Sequence, residues 1–421
     1  MSSFRNARRM IVAWRGAAAL LARCQCAYGR IRERMTNTTT RGPLAGIRIL
    51  ELSGIGPGPF AGMLLADMGA DVIVVERPAG VGAPSLGHNA ILNRGKRSIC
   101  IDLKAPRGAD LILRLLENCD ALIEGMRPGV MERLGLGPET CFARRPELVY
   151  GRMTGWGQSG PLAQSAGHDI NYIALSGALW YSGEPGTVPV APPTLVGDLG
   201  GGALYLAMGI LAALLQVRAG GRGQVIDAAV LDGSANLMNL LLSFHGSGAM
   251  PVERGLGLLD GYFCYGAYRC ADDRFVAIGA LEPQFFAELL QRLGLGDDEA
   301  FAHPEDKSTW PRARARLQQL FSTAHQSSWC ELLEGTDACF APVLDPREAA
   351  IHPHLVARNV YRECDGVLQT APAPRFSGFP GANVGPIPLP GEDWKVILAD
   401  VGMTDAQAQA WVDCGVVSAV A

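Results

Sequence analysis

One histidine and one aspartate stand out because each lies where an apolar helical pattern begins. His168 comes immediately before apolar residues at helical spacing, and Asp198 lies between an apolar run and a glycine-rich turn that opens a second apolar helix. Both are therefore expected at helix N-termini, where unpaired N–H groups and the helix dipole favour a developing oxyanion, as in enolate chemistry. The commoner roles of such residues, an N-capping aspartate and a structural histidine, stay open on this evidence.

The composition is that of a globular protein with room for two domains, or for one large domain with an insertion. Of the 421 residues, 48% are hydrophobic and 19% are charged, and the formal net charge is -4. That balance provides no general basic surface, so we expect no nucleic-acid partner. The longest apolar segment, residues 203–217, falls short of a membrane span and is predicted to form a buried helix, so no membrane partner is expected.

The cysteines and histidines give no sign of a metal site. The eleven cysteines are odd in number and lack metal-type spacing, which favours free thiols in a reducing compartment. His352 and His354 have no further candidate ligands nearby.

The N-terminal segment differs from the rest of the chain. Its first 34 residues carry eight arginines and a single acid, Glu33. Such a composition is typical of a mitochondrial transit peptide, but it also fits an upstream extension from a start site placed too early, with Met35 as the working start. We favour the second interpretation, which predicts a cytoplasmic protein, and the first would predict a mitochondrial one. In both cases we expect residues 1–42 to be poorly ordered and outside the fold.

The globular sequence begins with a strand, a helix and a second strand. Residues 47–52, 60–69 and 71–76 give this βαβ order and predict a parallel sheet in an α/β fold. A dinucleotide site with Glu76 on a ribose is the first interpretation to consider. The glycine spacing, interrupted by prolines, and the adjacent Arg77 argue against it.

Cations are concentrated in residues 93–104, where the turn Asn93-Arg-Gly-Lys-Arg97 leads into a short strand and Lys104 follows. Arginine forks and lysine charges suit a phosphate group. A solvated basic turn explains the same residues equally well.

The alternation of strands and helices continues to about residue 230 and then changes. Residues 262–345 read as a smaller α+β domain, and residues 372–391 are rich in proline and glycine and look like an extended arm. A last helix is predicted at residues 404–412.

Several long motifs in order carry a resemblance over residues 43 to about 376. The chain resembles the alpha-methylacyl-CoA racemases within the family III CoA-transferase superfamily. The matching pieces include PLAGIRILELSGIGPGPFAGMLLADMGADVIVVERP, NRGKRS, RPGVMERLGLGPE, TGWGQSGP, AGHDINYIALSG, LVGDLGGG, GRGQVIDA, LEPQF and TDACFAPVL.

The resemblance implies a Rossmann-like large domain, a smaller α+β domain and an interlocked homodimer whose active sites combine residues of both chains. We divide the chain into residues 1–42 (disordered extension), 43–230 (large CoA-binding domain), 231–261 (linker), 262–345 (small domain) and 346–421 (a segment that returns to the large domain). The sequence departs from the family pattern at residues 254–268, which puts the acyl-chain specificity in doubt.

The resemblance also implies roles for individual residues. His168 and Asp198 would be the proton-transfer pair, and Glu282 would support the histidine from the other subunit. The residues expected to contact CoA are Arg77, Ile101, Asp102, Leu103, Lys104, Arg133, Gly167, Asp169, Ile170, Asn171 and Tyr172.

The implied reaction is the racemisation of 2-methylacyl-CoA thioesters by 1,1-proton transfer through an enolate. Two groups must face the planar enolate from opposite sides, which His168 and Asp198 would do, and the backbone N–H of Asp169 would bind the enolate oxygen. The CoA is part of the substrate, so no further cofactor is expected. The alternative is a family III CoA-transferase, in which Asp198 would be a nucleophile and His168 would not be needed.

Overall fold

The computed structural model describes residues 42–78, 91–364, 366–379 and 384–418. The expected N-terminal extension lies outside the described residues except for its last member. Gly42 is buried, and a Cβ atom added to it would overlap the carbonyl group of Met68. Gly42 is therefore packed within the fold, which differs from our expectation for this one residue.

A seven-stranded sheet forms the centre of the large domain. Its strands are β1 (Arg48–Leu52), β2 (Asp71–Glu76), β3 (Arg97–Ile101), β4 (Ala121–Glu124), β5 (Val149–Thr154), β6 (Val225–Ala229) and, near the C-terminus, β12 (Val417–Ser418). The order is β12-β3-β2-β1-β4-β5-β6, and every neighbouring pair is parallel except β12 with β3. The predicted α/β fold with a parallel sheet is thus confirmed.

The strand order reverses direction between β1 and β4. From β1 the chain adds β2 and β3 on one side, and it then returns to add β4, β5 and β6 on the other. Open parallel sheets bind ligands at such a switch point, in the crevice outside the carboxyl ends of the strands. The loops after β1 and β4 are therefore where a substrate site is expected.

Helices cover both faces of the sheet and bury two apolar clusters against it. The first helix begins at Pro57, whose fixed φ and missing N–H suit the first helical position. These helices are α1 (Pro57–Asp67), α2 (Gly108–Leu116), α3 (Val130–Arg133), α4 (Pro138–Arg144), α5 (Asp169–Leu175), a π-helix (Leu195–Ala203), α6 (Leu204–Arg218), α7 (Val230–Leu237) and α8 (Asn239–His245).

A second, smaller unit has its own antiparallel sheet and its own apolar cluster. Its three strands are antiparallel and follow one another in the sheet in the order of the chain. The elements are β7 (Tyr265–Arg269), β8 (Phe275–Gly279), α9 (Pro283–Leu293), α10 (Trp310–Phe321), α11 (Gln326–Leu333) and β9 (Phe340–Val343), together with short 3-10 turns at Glu299–Phe301 and Lys307–Thr309.

The C-terminal segment returns to the large domain. Its strand β12 pairs with the edge strand β3, and the Asp102 N–H donates to the carbonyl of Val416 at 2.9 Å. The described parts of the expected extended arm, residues 372–379 and 384–391, contain no helix or strand. The remaining elements are α12 (Pro346–Ile351), α13 (Pro353–Ala357), β10 (Tyr361–Cys364), β11 (Val367–Thr370), α14 (Trp394–Asp400) and α15 (Asp405–Asp413).

The apolar helix after Asp198 is longer than its sequence pattern indicated. The π-helix runs directly into α6, and among the described residues Leu195–Arg218 is one stretch long and apolar enough to span a membrane by length and composition. Our expectation that no segment approaches that length was wrong, because the glycine-rich sequence continues the helix instead of forming a turn. In this fold α6 packs against β5 and β6, as core helices of the same composition do.

The basic segment at residues 93–97 is neither a phosphate site nor a solvated turn. Lys96 and Glu51 are fully buried, and Lys96 Nζ donates to Glu51 Oε2 at 2.6 Å and to the Pro59 carbonyl at 3.0 Å. Arg94 is buried beside Asp67, with Nη2 2.5 Å from Oδ2, and also donates to a backbone carbonyl of β11.

Arg97, the first residue of β3, also pairs with acidic side chains. Its guanidinium binds Asp71 through two hydrogen bonds of 2.8 and 2.6 Å, and it also pairs with Asp400 of α14. The sequence showed the cations but not their acidic partners, which lie up to 303 residues away. These three cations therefore hold the fold together, and both interpretations were wrong for residues 93–97. Lys104, the fourth cation of the predicted segment, is exposed.

Candidate active site

Asp198 lies at the switch point of the sheet. The loop after β1 contains Gly56, which has a left-handed φ of 75° and packs against the Asp198 side chain. A Cβ atom at Gly56 would lie 3.3 Å from Asp198 Oδ2, so a larger residue would crowd the carboxylate in addition to straining the backbone. The GIGPG sequence thus brings a backbone loop close to the aspartate that we predicted to be catalytic.

Asp198 is in the first turn of the π-helix, so it lies near a helix N-terminus as predicted, but the glycines after it continue the helix and do not form the expected turn. Glycines allow this segment to pack tightly on α7. A Cβ atom at Gly201 would lie 2.5 Å from Ser234 Oγ, and one at Gly233 would overlap the Gly201 carbonyl. Gly201, one of the glycines that suggested a turn, is therefore needed for close helix packing, which no local pattern reveals. π-helical segments often occur at functional sites.

His168 is the N-cap residue of α5. Its backbone is extended, with φ of -135° and ψ of 174°, and its N–H donates to Asn171 Oδ1 at 3.1 Å. The imidazole is exposed and is close enough that its positive charge would lower the pKa of Asp198. His168 and Asp198 therefore lie near each other, and their role as an acid–base pair stays a prediction.

Asp169 joins the two helices that carry this pair. Its carboxylate is buried, and Oδ1 accepts the backbone N–H of Asp198 at 2.6 Å. Gly197 makes this possible, since a Cβ atom there would overlap Asp169 Oδ1 and lie 2.8 Å from Ile173 Cγ2. We expected Asp169 to be a CoA contact and a backbone donor, and this role of its side chain was not predicted. The sequence indicated this role only by placing an acidic residue directly after His168.

The carboxyl group of Asp198 is poised to exchange a proton near neutral pH. Its pKa is raised to about 6, first because the group is partly buried and second because the negative charge of Asp169 is nearby, while His168 acts in the opposite direction. General acid–base groups work best when their pKa is close to the working pH.

Two aromatic side chains hold the segment that leads into His168. The Tyr172 hydroxyl donates to the carbonyl of Gly167, and its ring meets Trp156 edge to face with centroids 4.7 Å apart. A Cβ atom at Gly167 would lie 3.0 Å from Trp156 Nε1, and one at Gly155 would overlap the Tyr172 ring. The TGWG and GHDINY motifs are therefore complementary parts of one packing arrangement.

The residues expected to contact CoA lie on several neighbouring elements. Arg77 and Lys104 are exposed and follow β2 and β3, so both are at the carboxyl edge of the sheet. Arg133 is exposed in α3, with Nη1 3.3 Å from the position of a Cβ atom on Gly129. Ile170 is half exposed on α5.

The four-residue segment 101–104 offers mainly its backbone and its lysine. Ile101 is buried in β3, so its side chain faces the core and not a ligand. Asp102 Oδ1 accepts the N–H of Lys104 at 2.9 Å, which fixes the turn, and Leu103 packs at the edge of the core.

Glu282 is not part of this site within one chain. It is the N-cap residue of α9 in the small domain, it is exposed, and its negative charge helps to raise the pKa of the Cys339 thiol, after burial of that thiol. Among the described residues, no hydrogen bond or ion pair joins Glu282 to His168 or Asp198. Its expected role as a support for His168 therefore requires a second copy of the chain.

Comparisons with known proteins place the chain in a family of enzymes that act on CoA thioesters. The model of the family described as CoA-transferase family III matches residues 44–394. The alpha-methylacyl-CoA racemase of Homo sapiens is 41% identical over 366 residues, covering 86% of this chain and 94% of the human protein. The human succinyl-CoA:glutarate CoA-transferase is 30% identical over 401 residues, covering 90% of each. A crystal structure of a CAIB/BAIF family protein from Brucella suis superposes with a TM-score of 0.71 at 28% identity, covering 86% of this chain and 100% of that one.

Proposed function

The chain belongs to CoA-transferase family III, and we propose that within this family it is a racemase that interconverts (2R)- and (2S)-2-methylacyl-CoA thioesters. The observation that carries the proposal is the pairing of His168 and Asp198 at the switch point of the sheet. The first is an exposed imidazole, and the second is a carboxylate with a pKa of about 6. The 41% identity to a human racemase supports the same assignment.

Racemisation explains why two acid–base groups are present. The hydrogen on the carbon beside a thioester carbonyl is weakly acidic, and its removal leaves a planar enolate. One group takes the proton from one face while the other delivers a proton to the opposite face, so the carbon is inverted with no net change in protons. Each such group contributes roughly 10² to 10⁴-fold to the rate. His168 and Asp198 exchange these roles when the reaction runs in reverse.

The enolate oxygen requires hydrogen-bond donors. We assign this role to the backbone N–H of Asp169, the first residue of α5. The first N–H groups of any helix have no carbonyl acceptor within that helix, so this group is free to bind the enolate oxygen. Removing one such donor costs about 10² to 10³-fold in enzymes where it has been tested. The Asp169 carboxylate meanwhile holds the neighbouring π-helix, so one residue would serve both parts of the site.

The CoA portion of the substrate would bind along the carboxyl edge of the sheet. Arg77, Lys104 and Arg133 are exposed cations there and suit its phosphates, while residues 167–172 would contact the pantetheine near the thioester. All the proposed steps use side chains, backbone groups and the substrate itself, so the proposal includes no separate cofactor.

A homodimer completes the proposed site. Glu282 would reach His168 from the small domain of the second copy and stabilise the imidazolium that forms when His168 has taken a proton. The proposal therefore predicts that a monomeric variant loses activity even though each chain keeps its own His168 and Asp198.

A CoA-transferase is the alternative, since Asp198 is also suited to attack a thioester and form an acyl anhydride. The exposed His168 beside Asp198 favours the racemase, because a transferase needs no second proton donor. The direct test is to incubate one epimer of a 2-methylacyl-CoA with the protein and to follow the ratio of epimers by chiral chromatography. Conversion to a mixture of both epimers is expected, and an unchanged epimer would reject the racemase.

A further inference from the structure

A charged cluster around the mostly buried Arg152, which the proposed reaction does not use, lies beside the switch point. Arg152 is on β5, and its side chain is 10% exposed. Glu124 is at the carboxyl end of β4, where its side chain is 2% exposed. Glu132 is on the short helix α3.

Arg152 contacts three side chains at once. Its Nε atom is 3.2 Å from Glu124 Oε1, its Nη2 atom pairs with Glu132, and its Nη1 atom donates to Gln158 Oε1 at 2.9 Å. Glu124 in turn accepts the backbone N–H of Met126 at 2.6 Å through Oε2. A planar guanidinium can hold several acceptors in a fixed geometry, which a lysine ammonium cannot do as well.

These contacts hold both ends of one segment. Glu124 is where β4 ends, and Glu132 is in α3, so Arg152 fixes the loop and helix of residues 124–133 against β5. This segment follows β4 on one side of the switch-point crevice. Its position therefore decides where its exposed side chains stand relative to a bound substrate.

The segment ends with Arg133, the residue next to Glu132. Within the described part of the chain, Arg133 forms no ion pair or hydrogen bond through its side chain. Its neighbour Glu132 is engaged by Arg152, so the negative charge closest in sequence is already neutralised. Arg133 is thus available to bind an anion from solution, and its helix is fixed by the ion pair between Arg152 and Glu132.

We propose that Arg152 is a positioning residue for the CoA phosphates, which acts by holding Glu124 and Glu132 so that Arg133 faces the nucleotide part of the substrate. This inference rests on the proposed acyl-CoA substrate. Arg152 itself touches neither the phosphates nor the reacting carbon. It stabilises the arrangement of Arg133 and leaves the chemistry at His168 and Asp198 unchanged.

The test compares two substrates that share the reacting carbon. One is a 2-methylacyl-CoA, and the other is the same acyl group on pantetheine, which lacks the nucleotide and its phosphates. For Arg152→Met, KM for the acyl-CoA should rise about tenfold with kcat unchanged. This is the effect of losing one charge-assisted hydrogen bond, here the one between Arg133 and a phosphate. KM for the acyl-pantetheine should stay the same. Glu132→Gln, which alters a more exposed residue, should raise KM for the acyl-CoA in the same direction by a smaller factor.

Arg144→Met is the matched control. Arg144 pairs with Glu117 on the exposed surface at 3.1 Å, so this variant removes the same charge without touching the cluster. It should leave both KM values unchanged. In an Arg133→Ala background, Arg152→Met should have no further effect on KM for the acyl-CoA.

Two results would overturn the inference. One is an equal rise of KM for both substrates, which would show a general disturbance of the fold. The other is a full effect of Arg152→Met in the absence of the Arg133 side chain. If the wild-type protein shows no epimerisation, titration calorimetry with CoA tests the same variants by their Kd, so failure of the proposed reaction is distinguished from failure of this inference. If Arg152→Met does not fold, Glu132→Gln decides the question by the same comparison.

Discussion

The carboxylate of Asp169 accepts the backbone N–H of Asp198 at 2.6 Å, and this bond joins the helix that begins after His168 to the π-helix that carries Asp198. The same carboxylate is the second cause, after burial, of the raised pKa of Asp198. One buried side chain therefore influences both the geometry and the proton affinity of the candidate acid–base pair.

Asp169→Asn separates these two effects. The amide oxygen can still accept the Asp198 N–H, but the negative charge is removed, so the pKa of Asp198 should fall below about 6 while remaining raised by burial. In the direction in which Asp198 is the base, kcat/KM falls as the pH drops through this pKa, because the carboxylate becomes protonated. We expect this acid limb to move to lower pH in the variant. A limb that stays in place, with activity retained, would remove Asp169 as a cause of the shift.

Gly197→Ala tests the close approach of the two helices. The added methyl group would overlap Asp169 Oδ1, so either the bond to Asp198 breaks or the π-helix moves. We expect a loss of kcat of at least about 10²-fold, as for a misplaced acid–base group. Gly246→Ala is the control, since Gly246 has an ordinary φ of -62° and open space around its Cβ position. Equal activity in both alanine variants would contradict this account.

Lys96→Met tests whether the buried basic segment is structural. The variant leaves the buried carboxylate of Glu51 without its cation, which should lower the free energy of unfolding by about 3 to 5 kcal/mol. Denaturant unfolding measures this loss. The double variant Lys96→Met with Glu51→Leu should recover much of it, because no unpaired charge then remains buried.

The same variant also distinguishes structure from phosphate binding. If enough folded Lys96→Met protein is obtained, KM for an acyl-CoA should equal that of the wild type. A large rise in KM, with stability unchanged, would restore the phosphate interpretation that the structure led us to reject.

Arg77→Ala and Lys104→Ala test the proposed CoA site. Both cations are remote from the reacting carbon, so their loss should weaken the ground state and the transition state equally. We expect KM to rise by the same factor for short and long acyl chains, with kcat unchanged. An effect that depends on acyl-chain length would place these residues near the acyl group instead.

Much of the large domain could be predicted because its signals are local. The strands are short apolar runs, and a βαβ unit fixes the parallel arrangement, so β1, α1 and β2 were found close to their observed bounds. His168 was identified because it precedes an apolar helical pattern, and Asp198 because it lies near the start of another. The family resemblance then predicted that they form the proton-transfer pair.

The errors came from relationships between distant residues. The Lys96 and Glu51 pair spans 45 residues, and Asp198 reaches Asp169 across 29. The glycines after Asp198 were expected to form a turn, but Gly201 is in a helix and is small because α7 passes close by, and Gly197 is small because α5 does. Packing of this kind overrides local propensity and cannot be derived from the spacing of one segment.

The most direct test of the racemase is hydrogen exchange at the reacting carbon. A single epimer of a 2-methylacyl-CoA is incubated with the protein in D₂O without an acceptor acid, and deuterium at the α-position and the epimer ratio are followed by mass spectrometry and chiral chromatography. Because the abstracted proton passes to groups that exchange with solvent, we predict both α-deuteration and formation of the other epimer.

His168→Ala should abolish epimerisation but retain exchange for the one epimer whose hydrogen faces Asp198, and Asp198→Asn should show the opposite preference. Transfer of CoA to an added free carboxylic acid, with no α-deuterium in the wild type, would contradict the racemase and identify Asp198 as a transferase nucleophile.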